Sequence, residues 1–82
     1  MSPDSPRLLA ECEPGSAWVV FEVRLPPKSR ARLMELGLLE GTRLELVRFA
    51  PWGDPVELKL RGSRLTLPKE EAEHIFVVAD KG

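Results

Sequence analysis

One stretch of this chain has the spacing of a metal-ligand set. Glu70, Glu73 and His74 fall at i, i+3 and i+4 within residues 69–75, KEEAEHI, so a helix there would carry all three on one face. Transition-metal sites usually gather three or four N, S or O ligands in close array. His74 is the only histidine and Cys12 the only cysteine, and there is no CxxC or histidine pair to complete such a set. The alternative use of Glu70 and Glu71 is to complement the positive end of a short helix. The expectation is that the chain holds no metal, with Glu70, Glu73 and His74 as the only candidates. Catalytic groupings are absent as well. No Ser-His-acid, Cys-His or paired-carboxylate arrangement stands out, and the glycines form neither a Walker loop nor a dinucleotide fingerprint. We therefore expect no enzyme and no cofactor.

Groups suited to binding are easier to find. Lys28, Arg30 and Arg32 cluster near the front of a short helical segment, where cations oppose the helix dipole at a cost of roughly 0.3–1 kcal/mol each. Docking on an acidic surface would account for them, and so would a solvated charged face. Trp52 stands between Pro51 and Gly53-Asp54-Pro55, in turn chemistry that pushes side chains outward. It is either an interface anchor or a lid folded back over one end of a thin core. Arg43, Glu45, Glu57, Lys59, Arg61 and Arg64 mix both signs along outward strand positions, as cross-strand pairing on a solvated sheet face would require.

The composition narrows the class. Eighty-two residues make one small domain. Twelve basic against thirteen acidic residues argue against generic nucleic-acid binding, which shows as a basic excess. No apolar run approaches the roughly 18 residues of a membrane span. The start, MSPDSPR, has neither the basic region nor the apolar stretch of a signal peptide. One unpaired cysteine fits a reducing compartment, and the expected location is the cytoplasm. The chain has no Asn or Gln, which suits a hot habitat or a genomic base bias.

The elements that must carry these groups are short. Residues 1–7 and 80–82 read as tails, and 8–79 as the domain. Residues 17–23 (AWVVFEV) are a strand with Trp18, Val20 or Phe21 entering the core. Pro26-Pro27 stops it, and Ser29 is placed to cap a two-turn helix with Leu33 and Leu36 on one face. Gly37 then sits at a left-handed C′ position, and Gly41 turns the chain into a strand over 42–48, with Leu44 and Leu46 inward. A break of alternation at 47–49 predicts a bulge. Residues 56–61 and 64–67 form a hairpin around Gly62-Ser63, a two-residue loop of the kind that takes a primed turn. Pro68 opens a helical turn, and 76–78 is a last strand. The whole is mainly β, a small barrel of five or six strands with one short α-helix and a helical turn before the last strand.

Residues 32–42, RLMELGLLEGT, followed by 50–55, APWGDP, resemble the signature of the ferrous iron transport protein FeoA family. The resemblance spans residues 8–78. Its motif positions here are Arg32, Leu33, Leu36, Gly37, Gly41, Pro51, Gly53, Asp54, Pro55 and Gly62. It implies an SH3-like barrel and the role of a cytosolic accessory of the membrane ferrous-iron transporter FeoB, acting by protein–protein contact. Neither nucleic acid nor direct membrane insertion is expected, and weak self-association is left open. On this reading the partner-binding residues are Trp52, Pro51, Asp54, Lys28, Arg30 and Arg32. The chain departs from the family pattern at Ser63, where an aromatic residue is common. The alternatives are a nucleic-acid-binding small barrel, marked by a continuous basic stripe, and a weak metal-sensing SH3-like module.

Overall fold

In the computed structural model, which describes residues 5–80, six antiparallel strands form one sheet. They are β1 (Arg7–Leu8), β2 (Ala17–Val23), β3 (Arg43–Phe49), β4 (Val56–Leu60), β5 (Ser63–Leu67) and β6 (Ile75–Ala79). Helix α1 (Pro27–Glu35) joins β2 to β3, and the single turn α2 (Lys69–Ala72) joins β5 to β6. The order across the sheet is β1-β6-β2-β3-β4-β5, so β1 and β5 are its edges. The expected mainly β, SH3-like architecture with one helix and a late helical turn is what the chain adopts.

Strict alternation places the core. Leu44 and Leu46 of β3, Val56, Leu58 and Leu60 of β4, and Leu65 and Leu67 of β5 all point to one side and are buried. Val20 and Val23 of β2 and Ile75 and Val77 of β6 join them, with Leu33 from α1 and Ala72 from α2. Every strand but β1 thus feeds one cluster, which requires the sheet to wrap around it. Two irregularities help the strands to bend. Register shifts between Val20 and Glu22 against β6, and between Leu46 and Arg48 against β4. The second falls at the break of alternation noted in the sequence.

Several local expectations are refined. Of the three residues offered for the core, Val20 is the buried one, Trp18 packs at the cluster's margin and Phe21, next to Val20 along the strand, faces outward and is half exposed; the β2 irregularity then turns Val23 inward in place of Glu22. Ser29 is not a cap. Helix α1 begins three residues earlier than a Ser29 cap would start it, with Pro26 at the N-cap and Pro27 in the first turn, where a missing N–H removes no intrahelical bond. The β4–β5 hairpin turns on Arg61-Gly62, with Leu60 opposite Ser63. Only Gly62 has positive φ there, so the turn is not a primed one. Arg7 is not tail, since it pairs with Val77. Asp80 reaches back to Arg43 in an ion pair. The remainder of the two expected tails, residues 1–4 and 81–82, lies outside the described residues.

The end of α1 is fixed by a Schellman arrangement. Leu38 N–H donates to Leu33 C=O at 2.9 Å, and Gly37 N–H to Met34 C=O at 3.0 Å. Gly37 adopts φ +97°, the left-handed C′ conformation that this pair of bonds needs. Leu33 and Leu38, both buried, supply the accompanying apolar contact. Leu36, by contrast, is 46% exposed, so Leu33 alone of the expected pair anchors the helix.

Candidate functional site

The loop between β3 and β4 is built to hold a side chain outward. Ala50 N–H donates to Pro55 C=O at 3.0 Å, and Gly53 N–H to Ala50 C=O at 2.7 Å, which closes the loop across its own neck. Gly53 supplies the positive φ of the turn, at +83°, and the Asp54–Pro55 peptide is cis. Trp52 sits at the tip and is 91% exposed. Of the two roles open from sequence, a lid over the core is therefore excluded by its position.

The same loop is fastened to α2. Asp54 Oδ1 accepts a hydrogen bond from Lys69 N–H at 2.9 Å. Pro68 at the N-cap of α2 offers no side-chain cap of its own, so a residue 15 positions upstream fills that role. The Lys69 side chain also lies over Gly53, its Cδ and Nζ each 3.8 Å from where a β-carbon would stand. Helix α2 is fastened in turn to α1 through an ion pair between Arg32 and Glu71. Loop, α2 and α1 are thus linked in series by polar contacts at the surface.

That chain of contacts separates the three basic residues at the front of α1. Arg32 is engaged with Glu71. Lys28 and Arg30 are exposed and have no ion pair among the described residues. Of the three, only Arg32 is a position of the family motif, where the resemblance gives it a structural role; the partner itself, 39 residues away, is not legible in the sequence.

The metal candidates do not converge. Glu70, Glu73 and His74 are all exposed on and after α2, and among the described residues no group of three or more His, Cys, Asp or Glu side chains comes together as a cation site. Glu70 and His74 instead border a shallow depression with Arg24, Leu25 and Pro26. Cys12 is buried, its thiol donating to Leu8 C=O at 3.4 Å. Burial pushes that thiol up to about 11, with Arg7 pulling it down and Glu11 adding to the rise.

The outer face of β3, β4 and β5 mixes its charges. Glu57 lies between Arg48, at 2.9 Å, and Arg64, at 3.1 Å. The hydrogen bond from Arg48, seconded by that from Arg64, holds the Glu57 carboxyl below the usual carboxylate range. Glu45 stands opposite Lys59. Carboxylates thus interrupt the basic residues of this face and no continuous stripe forms on it. No described helix is long and apolar enough to cross a membrane.

The chain is similar to known proteins over nearly its whole length. The FeoA domain family matches residues 7–79. The solution structure of an FeoA protein from Chlorobium tepidum is 42% identical with a TM-score of 0.85, the match covering 93% of this chain and 75% of that one. An FeoA-like protein from Clostridium acetobutylicum is 35% identical with a TM-score of 0.80, covering all of this chain and 94% of the other. Iron(II) transport protein A from Clostridium thermocellum is 29% identical with a TM-score of 0.83, over 93% of this chain and 47% of that one.

Proposed function

The chain belongs to the FeoA domain family, and from that premise we propose that it is a non-enzymatic accessory of ferrous iron uptake. It acts by docking the Trp52 loop on the cytosolic side of an FeoB-type membrane transporter. The observation that carries this reading is the exposure of Trp52 on a loop that is ordered without it. Every hydrogen bond that shapes the loop is made by backbone or by Asp54, so the indole is free to enter a pocket on another protein. Little ordering entropy is lost when a segment already closed and proline-bounded meets its partner. A Trp buried in this way contributes about 200 Å² of contact, and such anchors often cost at least about 2 kcal/mol when truncated.

The mechanism needs no chemistry from this chain. Iron is the transporter's cargo, and the accessory acts through the surface that it presents. The test is the Trp52→Ala variant, assayed for capture of the detergent-solubilised transporter. Affinity should fall about 30-fold, the equivalent of about 2 kcal/mol. Removing an exposed side chain should leave stability within about 0.5 kcal/mol. A folded variant that binds the transporter as well as the parent chain refutes the assignment.

A further inference from the structure

We propose that the outward face of α1 is self-complementary and takes a second copy of this chain, the two helices lying side by side and parallel about a two-fold axis. Pro27, Ala31 and Met34 recur at four- and three-residue steps along α1, and all are exposed, Met34 by 52%. Leu33, the one buried residue of the helix, turns away from this stripe into the core. Met34 rests one edge near Val23 and Leu38, and the rest of the stripe is left to solvent. Arg30 and Glu35 border it on opposite sides, and the same five residues line one shallow depression.

The charges choose the occupant. In heptad terms Ala31 is an a position and Pro27 and Met34 are d positions, which makes Arg30 a g and Glu35 an e. Two parallel helices that share an a/d seam bring each g residue beside the e′ residue five positions further along the partner. Arg30 of each copy then meets Glu35 of the other, twice over, as a two-fold axis requires. An antiparallel pair would instead line Arg30 with Arg30 and Glu35 with Glu35. Neither side chain has an ion pair within the chain among the described residues, so no existing contact must break.

The helix is ready for this use, because Pro27 at its start and the Gly37 turn at its end define it without a partner. Its nine residues also limit the affinity. A seam about 13 Å long is too short to bury the roughly 1,200 Å² of a stable interface. The dimer is weak, with Kd on the order of 0.1–1 mM. This inference does not rest on the transporter reading, and Trp52 is not part of the face.

Sedimentation equilibrium of the full chain over about 0.01–2 mM at low salt tests it. The parent chain should shift from monomer to dimer across that range. Arg30→Glu and Glu35→Arg should each weaken self-association at least about tenfold, since each turns two attractions into two repulsions. Mixed in equal amounts, one variant carries two acidic flanks and the other two basic ones, and together they should associate at least as well as the parent. Met34→Lys, which touches no ion pair, should abolish association by charging the seam. The proposal is overturned if the parent chain stays monomeric to about 2 mM, if Arg30→Glu or Met34→Lys associates as the parent does, or if the mixture associates no better than its parts.

Discussion

Replacing Asp54 with alanine tests the link between the tryptophan loop and the helical turn behind it. The Oδ1 atom of Asp54 holds the Lys69 N–H at 2.9 Å, and the proline ahead of α2 contributes no side-chain acceptor. Losing a capping carboxylate typically costs about 0.5–2 kcal/mol. A charged acceptor counts for more when buried, but this one is exposed, which moves the figure to the middle of the range. Only the first turn of a helix feels the dipole, and α2 has one turn in all, so little more is added. The expected loss is about 1 kcal/mol, which in a domain of this size lowers the melting midpoint by roughly 4–8 °C. Asp54→Asn retains a carbonyl oxygen in the same place and gives up only the charge, so it should cost about 0.3 kcal/mol. Thermal unfolding of the two variants supplies the comparison, and amide exchange at Lys69 locates it. Exchange there should accelerate in the alanine variant and stay near the parent rate in the asparagine one. Equal midpoints for the alanine variant and the parent would refute the capping argument. So would an asparagine variant as unstable as the alanine one.

Two further outcomes concern the core. Gly37→Val should destabilise the fold by roughly 1–2 kcal/mol in denaturant titration. A β-carbon there would meet Leu60 Cδ1 at an ordinary 3.6 Å, so the cost comes from the backbone and Gly37→Ala should show much of it. Cys12 should react slowly with a thiol reagent at pH 8, because burial raises its thiol to about 11 from the ordinary 9.0. The sign for stability follows from linkage: the native thiol keeps its proton where the unfolded one has lost it, so the contribution is complete below pH 9 and is lost as pH rises toward 11. Urea midpoints at pH 8 and pH 10.5 in the parent, set against Cys12→Ala, check it.

What the sequence disclosed and what it hid divide along the distance between interacting residues. Leu44, Leu46, Val56, Leu58, Leu60, Leu65 and Leu67 could be placed inward because alternation is a local property of each strand. Gly37 was legible for the same reason, since a helix that ends on a left-handed residue writes that need into one position. Ser29 misled because capping preference was weighed without the competing preference of Pro27 for the first helical turn. Trp18, Val20 and Phe21 were left as alternatives because AWVVFEV is apolar on both faces, so alternation alone does not say which face is the core. At the candidate site the loop could be read and its tryptophan singled out. Its fastening to α2 could not, because the cap of that turn comes from Asp54, outside the window where capping signals are sought. The same holds for Arg32, whose partner Glu71 lies on α2, four elements later.

The pairing of β1 with β6 joins residues far apart along the chain, Arg7 with Val77 and Leu8 with Phe76. Closing a loop of that length carries the largest entropy penalty of any contact in the sheet, although the penalty grows only slowly with length. Two residue pairs are a small return for it, so this edge forms late and opens early relative to the β3–β4–β5 meander, whose partners are near neighbours. The two ends of the domain meeting at one place has a topological consequence. The order of elements can be rewired without rebuilding the sheet: a short peptide from residue 79 to residue 7 would convert the slowest closure into a local one. A new opening at Arg61-Gly62 would cut only an exposed two-residue turn. A permuted chain of this kind keeps every strand neighbour while changing which of them is costly to bring together.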